Sequence, residues 1–525
     1  MTGVLDEDAG TVFVGGGGAD HRQPQSLLLK YANRHGMIAG ATGTGKTVTL
    51  QTLAESLSLA GVPVFLSDVK GDLAGLSQPG RADAPLHDAF QQRAEKIGLT
   101  LDYQSFPVTF WDVWGERGHP VRTTPAEMGP LLLSRLLDLT DVQEGVMNIA
   151  FRVADEQGLA LLDLKDLQAM LVWVGQNATE LSLQYGNVST ASVGAIQRAL
   201  LILENQGGHN LFGEPALDLA DIIRQDASGK GVINVLAADR LMASPRLYAT
   251  FLLWLLSELF EQLPEIGDPD RPRIAFFFDE SHLLFDDAPK ALIEKVEQVA
   301  RLIRSKGVSV WFISQNPDDI PEDILGQLGN RVQHALRAFT ARDQKALRLA
   351  AQNYRPNPDF DIADAIRDVG TGEAVTSFLE AKGVPGMAQR TLIRPPFSRL
   401  GPILDTERQR VNAASPMALK YATRLERDSA QEILSRRAEE AALAGADGKE
   451  AASGDADLFD MDREEYRNAR RYQPRRDAAE PAPKSRSRRS DTIAETFGKS
   501  LARQLGTRSG KALVRGVLGS LFRGR

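Results

Sequence analysis

One glycine-rich stretch near the N-terminus constrains the fold of this chain most strongly. Residues 40–47 read Gly-Ala-Thr-Gly-Thr-Gly-Lys-Thr, which places a glycine four residues ahead of Gly-Lys-Thr. The preceding residues 36–39 predict a short buried strand, and residues 48–59 predict a helix. In that context the pattern is typical of a phosphate-binding loop, whose glycines allow backbone N–H groups to converge on phosphate oxygens. A glycine-rich turn that matches by chance would not need the flanking strand and helix.

The loop pattern assigns a role to individual residues. Lys46 would reach the β- and γ-phosphates of a nucleotide, and the hydroxyl of Thr47 would ligate Mg²⁺. The N-terminus of the following helix adds a favourable dipole for the same anion. The predicted nucleotide-binding residues are therefore Gly40, Ala41, Thr42, Gly43, Thr44, Gly45, Lys46, Thr47 and Val48.

A second chemical motif lies at residues 274–282. Its five apolar residues, Ile-Ala-Phe-Phe-Phe, predict a central strand that is buried on both faces. Asp279 and Glu280 follow directly, as in a Walker B site. Hydrolysis needs one carboxylate near the metal and a second near the nucleophile, so Asp279 would hold Mg²⁺ through water and Glu280 would polarise the attacking water. The alternative is an acidic strand end that merely begins a helix.

Polar residues follow two more predicted strands. Gln315 comes after the strand at 308–313, where it would sense the γ-phosphate or orient water, or else cap the next turn. Asp68 and Asp72 come after the strand at 63–66. Because ligands bind at the carboxyl ends of parallel strands, these acids either face the nucleotide and its metal or cap a solvated turn.

Arginines that could act on a neighbouring subunit lie on the predicted helix 290–306. Arg301 and Arg304 are three residues apart and would share one helix face. Arginine suits a developing phosphoryl charge, and such residues often come from an adjacent subunit. The alternative is a basic surface stripe that pairs with Glu297. Two further candidates lie on the next predicted strand: Arg331 and Arg337.

Changes in pattern divide the 525 residues into segments. The α/β nucleotide-binding core is predicted in two parts, 36–123 and 227–402, because strand and helix patterns alternate there. The other predicted segments are a short glycine-rich lead-in at 1–35, a helical insertion at 124–226, a charged helix at 403–445, a linker predicted to be disordered at 446–490, and a basic amphipathic helical tail at 491–525.

The tail carries apolar residues at four-residue spacing and basic residues between them. Such a helix can bind a membrane surface, an acidic partner or nucleic-acid phosphates. It can equally pack its apolar face on its own subunit. The sequence leaves these alternatives open.

Composition excludes several classes of site. The chain has no cysteine, which excludes disulfides, zinc–thiolate sites and a cysteine nucleophile. Its longest apolar runs, such as 251–256, fall far below the ~20 residues that span a bilayer, and no leader pattern is evident, so we expect a cytoplasmic protein. The net charge of −8 gives no overall nucleic-acid signature, although it does not exclude a local basic groove.

Four motifs together resemble the HerA/FtsK superfamily of hexameric motor ATPases. They are the loop at 40–47, Asp-Val-Lys-Gly-Asp at 68–72, Asp-Glu-Ser-His at 279–282 and Ile-Ser-Gln-Asn-Pro at 313–317. The longer stretch 314–331 is similar to the bacterial HerA-like family of formerly unknown function. The resemblance covers roughly residues 10–400 and could extend to the basic C-terminal tail.

The resemblance implies an α/β, RecA-like P-loop core, ATP with Mg²⁺ as ligands, a hexameric ring, and a trans-acting arginine at Arg301 or Arg304. It also implies a motor that translocates or unwinds DNA. Two features depart from it: residues 1–35 are shorter than the N-terminal β-barrel of HerA proteins, and the insertion is not part of the helicase pattern.

Two other functions remain compatible with the sequence. One is an ATP-driven motor or remodeller that acts on protein or at a membrane surface, positioned by the tail. The other is a nucleotide-dependent scaffold without useful turnover. Glu280 and Gln315 argue against the scaffold, because a binding-only switch does not need a water-polarising acid.

Overall fold

One 13-stranded sheet organises this protein, for which we describe a computed structural model. The structure describes residues 3–285, 290–338 and 340–453. The strands of that part of the chain are Leu5–Asp6 (β1), Thr11–Gly17 (β2), Gln23–Leu28 (β3), Gly36–Ala39 (β4), Val64–Asp68 (β5), Val108–Asp112 (β6), His119–Pro120 (β7), Ile233–Ala237 (β8), Ile274–Phe278 (β9), Val308–Ser314 (β10), Asn330–Gln333 (β11), Glu373–Ser377 (β12) and Gln389–Ile393 (β13).

The strand order brings the predicted motifs to one edge of the sheet. It runs β1-β2-β13-β12-β11-β4-β10-β9-β5-β8-β6-β7, with β3 paired to β2. All neighbours from β11 to β7 are parallel, whereas the pairs on the β1 side of β11 are antiparallel. The predicted α/β class with a mostly parallel sheet is therefore confirmed. Strand β4, which leads into the glycine-rich loop, lies between β10 and β11.

Successive side chains of the central strands enter different cores. On β9, Phe276 and Phe278 join one hydrophobic cluster while Phe277 joins the other. On β10, Phe312 and Trp311 divide in the same way. Since side chains alternate across a strand, continuous apolar runs are expected where both faces of a sheet are covered.

Helices cover both faces. Seven of them, α4 to α10, fall within residues 124–226, and the first cluster joins their apolar side chains to α12, α14 and the sheet. The helices of the described chain are Leu29–Ala32 (α1), Lys46–Leu59 (α2), His87–Ile97 (α3), Pro125–Leu136 (α4), Asp141–Gln157 (α5), Leu164–Gln176 (α6), Ala178–Tyr185 (α7), Thr190–Asn205 (α8), Gly208–Leu211 (α9), Leu219–Ile222 (α10), Asp239–Met242 (α11), Pro245–Gln262 (α12), His282–Phe285 (α13), Lys290–Leu302 (α14), Glu322–Leu325 (α15), Ala341–Gln352 (α16), Ile362–Asp368 (α17), Asp405–Ala414 (α18), Met417–Tyr421 (α19) and Ala430–Ser453 (α20).

The N-terminal segment 1–35 is more than the predicted lead-in. It contributes three strands, and β2 pairs with β13 to extend the core sheet. The glycine run is part of β2 because the strand passes very close to its neighbour. A Cβ atom on Gly15 would lie 2.3 Å from the carbonyl oxygen of Leu392. Glycine is usually unfavourable inside strands, and this close approach explains why the run is suited to this one.

The predicted single charged helix at 403–445 is wrong. Three helices, α18, α19 and α20, occupy this region. Ser415 has an extended backbone ahead of Pro416, and a residue before proline is disfavoured in helical conformation. Helix α20 also continues to Ser453, past the predicted start of the linker at 446.

The remainder of the predicted linker and the whole tail at 491–525 lie outside the described residues. Among the residues that are described, no helix is both long and apolar enough to cross a bilayer.

A buried ion pair joins α2 to the chain that follows β13. Glu55 and Arg394 are both inaccessible to solvent, and their side chains approach to 2.9 Å. The Glu55 carboxylate also accepts hydrogen bonds from the backbone N–H groups of Phe397 and Ser398, at 3.1 and 2.9 Å. Arg394 donates to the carbonyl oxygen of Thr52 at 2.6 Å. The pair therefore fixes the helix that starts at the glycine-rich loop to the rim of the sheet.

We expect stability to fall in mild acid because His35 is buried as a neutral imidazole. Its Nδ1 accepts a hydrogen bond from the N–H of Val310, so protonation would remove that acceptor. Burial lowers the pKa of His35 from 6.5 to about 4. A group with a depressed folded-state pKa takes up its proton more readily when unfolded, so its stabilisation is complete above pH 6.5 and declines towards pH 4. Between pH 7 and 5 the expected loss is about 2 kcal/mol.

Chemical denaturation at several pH values would measure this loss. A His35→Gln variant should be less stable at pH 7 but should lose less stability on acidification. An unchanged slope in that variant would show that other groups dominate.

Candidate nucleotide site

The glycine-rich loop is held on both sides by neighbouring strands. The N–H of Gly40 donates to the carbonyl oxygen of Ser314 on β10 at 3.3 Å, and the N–H of Ala41 donates to Ala335, beyond β11, at 2.8 Å. Gly40 has φ +149°, and a Cβ atom there would lie 2.5 Å from that of His334. Only glycine satisfies both the conformation and the close approach at this position.

Lys46 begins helix α2 and turns back over the loop. Its Nζ donates to the carbonyl oxygens of Gly40 and Ala41, at 2.6 and 3.2 Å. Burial lowers its pKa, with Lys70 acting in the same direction and Glu280 opposing it. Thr47 and Val48 follow in the first turn of the helix and are half-buried.

Asp279 presents an unpartnered carboxylate oxygen at the same sheet edge. Its side chain is buried, its Oδ1 accepts the N–H of Glu280 at 2.9 Å, and its Oδ2 has no hydrogen-bond partner in the described chain. Burial first, and the charge of Glu280 second, raise the pKa of Asp279 to about 7. A buried carboxylate oxygen without a partner is costly unless a cation or donor satisfies it. The arrangement therefore fits a metal ion, with Thr47 as the second protein ligand by the loop pattern.

Three polar side chains lie next to the Glu280 carboxylate. Its Oε1 lies 2.5 Å from Nζ of Lys70, and its Oε2 lies 3.4 Å from Nε2 of Gln315 and 3.4 Å from Nδ1 of His282. Burial opposes ionisation, but Lys70, Gln315 and His282 together hold the pKa of Glu280 below its usual range. Glu280 also has φ +48°, a left-handed conformation that is rare for residues other than glycine.

The two acids after β5 behave differently. Asp68 caps its own turn by accepting the N–H groups of Gly71 at 2.7 Å and Leu73 at 3.2 Å, which agrees with the capping alternative. Burial, and secondarily Asp72, raise the pKa of Asp68 to about 6. Asp72 leaves Oδ1 buried without a partner and acts electrostatically on Glu280. Only Asp72 therefore remains available to the site.

Gln315 lies where β10 ends, in a cleft of about 340 Å³ beside the loop. Asp319 fixes this strand end by accepting hydrogen bonds from the hydroxyl of Ser314 and the N–H of Asn316. The cleft is lined by Ala41, Thr42, His282, Gln315, Asn316, Asp319, Leu336, Arg337, Asp343 and Ala346. The cleft therefore brings together the glycine-rich loop, Gln315 and Arg337 of a single chain. Arg337 is one of the further arginines that the sequence offered for action on a neighbouring subunit.

The predicted helix 290–306 ends earlier than expected. Regular helix stops at Leu302, and Ile303–Lys306 form a 3₁₀ turn that Gly307 terminates with φ +74°. Arg301 and Arg304 therefore do not continue one regular helical face. The guanidinium group of Arg301 lies 3.5 Å from the carboxylate of Asp323. That of Arg304 lies 2.9 Å from the carboxylate of Asp268.

Neither arginine is near the nucleotide site of its own chain. Both precede Val308, where β10 begins, whereas the loop lies beside Ser314, where β10 ends. If either arginine contacts a nucleotide, it must be one bound by another subunit, as the predicted trans-acting arginine requires. Arg331 is half-buried and donates hydrogen bonds to the carbonyl oxygens of Leu325 and Leu328 of its own chain.

Sequence reasoning missed two residues of the site. Lys70 stands within a motif that we recognised, but nothing in its spacing indicated that it would reach Glu280. His334 is fully buried, and it hydrogen-bonds Thr49 of α2 at 2.8 Å and the carbonyl oxygen of Glu373 at 3.0 Å. A histidine inside a predicted strand carries no signal of contact with the loop.

Comparison with known proteins identifies the family. Residues 17–525 match the family described as "Helicase HerA-like C-terminal". The chain is 28% identical over 170 residues to the DNA double-strand break repair helicase HerA of Sulfolobus acidocaldarius. That match covers 31% of this chain and 33% of the relative, so it spans about a third of that protein.

Solved structures that match this chain include a bacterial conjugative coupling protein and a VirB4 protein. The conjugative coupling protein TrwBdeltaN70 is 15% identical, with a TM-score of 0.46 over 71% of this chain and 88% of that one. VirB4 of Thermoanaerobacter pseudethanolicus is 17% identical, with a TM-score of 0.47 over 75% and 98%. The family match confirms the resemblance to the HerA/FtsK superfamily. This chain belongs to the helicase HerA-like C-terminal family.

Proposed function

We propose that this chain is a Mg²⁺-dependent ATPase motor that works as a ring and translocates DNA. The observation that carries the proposal is the buried Asp279 with its unpartnered Oδ2, next to Glu280 and at the sheet edge that holds the glycine-rich loop. These groups supply a metal ligand, a general base and a phosphate cradle.

Each residue has a defined part in hydrolysis under this proposal. Lys46 binds the phosphate chain, and Thr47 and Asp279 hold Mg²⁺, which neutralises phosphate charge when bound. Glu280 accepts the proton of the attacking water. Gln315, hydrogen-bonded to Glu280 at 3.4 Å, orients that water.

The action on DNA rests on the family and on the curated relative, which is named as a DNA repair helicase. Its test is steady-state ATP hydrolysis by the full-length chain, with and without double-stranded and single-stranded DNA. Stimulation by DNA supports a DNA motor. Hydrolysis that is indifferent to both DNAs contradicts it while leaving the ATPase in place.

The helical insertion favours a second candidate, a motor that acts on a protein partner. Residues 124–226 contain 14 acidic and 5 basic residues, an unfavourable balance for binding phosphates. The insertion also exposes large apolar side chains on α5 to α8: Val142, Val172, Leu183, Leu201 and Ile202. Exposed apolar side chains are found at protein interfaces, although single ones are common on any surface. DNA-independent turnover would favour this candidate.

Ring assembly predicts that Arg301 or Arg304 completes the site of an adjacent subunit. Arg304→Ala or Arg301→Ala should lower turnover on the order of tenfold or more, because charge on the transferring phosphoryl group loses its stabilisation. Nucleotide affinity should change little. The measurement is kcat beside the affinity for ADP, with the exposed Arg348→Ala as the matched control.

A mixing experiment tests whether the arginine acts across subunits. An Arg304→Ala subunit retains Glu280, and a Glu280→Gln subunit retains Arg304. Mixed rings should therefore contain some complete sites and recover part of the activity. No recovery at any ratio would contradict a shared site.

A further inference from the structure

The ion pair between Lys70 and Glu280 connects the loop after β5 to the general base. Its two atoms lie 2.5 Å apart, and the two ends of the pair differ in exposure. The Glu280 side chain is only 7% exposed, whereas that of Lys70 is 49% exposed. A cation that reaches inward from the surface thus meets a buried carboxylate. Pairs between two exposed groups contribute little, but a buried carboxylate depends strongly on its partner.

The position of Lys70 is fixed by its own loop. The carboxylate of Asp68 accepts the N–H groups of Gly71 and Leu73, which closes the turn with Lys70 near its tip. Gly71 has φ +74°, a conformation that favours glycine. The lysine is therefore presented to Glu280 by a constrained turn.

The Glu280 carboxylate has few other strong contacts. In the described chain, Gln315 donates a hydrogen bond to it at 3.4 Å, near the length limit, and Nδ1 of His282 lies 3.4 Å away without making a hydrogen bond. The carboxyl groups of Asp72 and Asp279 lie close enough to interact electrostatically with Glu280. Without Lys70, the Glu280 carboxylate would keep only the two longer contacts at 3.4 Å.

We propose that Lys70 is a positioning residue for ATP hydrolysis, whose ammonium group holds the Glu280 carboxylate in the orientation from which it polarises water. This inference rests on the proposed role of Glu280. It assigns a function to the central lysine of the Asp-Val-Lys-Gly-Asp motif at 68–72, where the sequence indicated only the two acids.

The experiment compares two variants at one position in the full-length chain. Lys70→Met keeps a long unbranched side chain and removes its charge, whereas Lys70→Arg keeps the positive charge. For Lys70→Met we expect kcat to fall at least about tenfold while KM for MgATP changes less than about twofold, as expected when a catalytic group loses only its orientation. Lys70→Arg should recover most of the kcat, because it restores the cation. Lys165→Met, on the exposed surface of α6, is the matched control.

Two further readouts separate positioning from other roles. Added to Glu280→Gln, the Lys70→Met change should cause no further loss of residual turnover, because the two residues act as a unit. Binding of a non-hydrolysable ATP analogue should be unchanged in Lys70→Met. A weakened affinity for the analogue relative to ADP would instead make Lys70 a γ-phosphate ligand and overturn the proposal, as would wild-type kcat in Lys70→Met.

A different result is expected if the proposed role of Glu280 in ATP hydrolysis is itself wrong. If Glu280→Gln turned over ATP at the wild-type rate, the role of Glu280 itself would be wrong. A loss in Lys70→Met that Lys70→Arg does not recover, accompanied by a lower melting temperature, would indicate a structural role and also overturn the proposal.

Discussion

Replacement of Glu280 by glutamine should reduce ATP turnover at least about a hundredfold while nucleotide binding is retained. Glutamine has nearly the same shape and can still meet Lys70 and Gln315, which lie 2.5 and 3.4 Å from the Glu280 carboxylate. It cannot accept a proton from water, so the loss should fall on kcat. The loop residues that hold the phosphates are unchanged, so affinity for ATP should stay within a few-fold of wild type.

Single-turnover hydrolysis and equilibrium binding, measured on the same preparation, check this expectation. Glu322→Gln, exposed at the start of α15, is the matched control and should behave as wild type. Normal turnover in Glu280→Gln would falsify the Walker B assignment. Loss of binding together with turnover would show that the substitution disturbs the loop rather than the chemistry.

Removing the Glu55 side chain should cost about 3–5 kcal/mol of folding free energy, because Glu55→Ala leaves the charged Arg394 buried and unpaired. Both side chains are 0% exposed. The substitution also removes the acceptor for the N–H groups of Phe397 and Ser398, which would lose partners in the interior. The free energy of unfolding from chemical denaturation measures the effect.

An exposed ion pair supplies the control for this second prediction. Arg240 and Glu116 approach to 2.7 Å, but their side chains are 50% and 65% exposed. Glu116→Ala should therefore change stability by no more than about 1 kcal/mol. Equal effects of the two substitutions would mean that the Glu55–Arg394 pair contributes no more than a surface contact.

Local patterns predicted the parts of the site that lie within single strand–loop units. The spacing at 40–47, and Asp279 with Glu280 after an apolar run, depend on chemistry that needs fixed neighbours in sequence. The parallel sheet followed from continuous apolar strands, which the two-sided core of β9 and β10 explains.

Contacts between distant segments could not be predicted in this way. Lys70 and Glu280 are 210 residues apart, and Glu55 and Arg394 are 339 apart. A side chain's partner across the sheet depends on strand order, which a single sequence does not specify. The contribution of residues 1–35 to the sheet could not be predicted for a related reason. The glycine run in β2 lacks side chains and so packs closely against β13, but no local pattern indicates that β13 is the neighbouring strand.

The continuous hydrophobic cluster that joins the helical insertion to the sheet has a consequence for how partners and nucleotide communicate. Phe276 and Phe278, on the strand that leads to Asp279, belong to the same cluster as Leu171 and Leu200 of the insertion. Packed interiors transmit displacements because they have few voids to absorb them. A molecule that binds the insertion differently in two nucleotide states must change the affinity for nucleotide by the same factor, since binding linkage is reciprocal. Bound nucleotide would therefore change the affinity of the insertion for such a molecule, and the bound molecule would change the affinity for nucleotide.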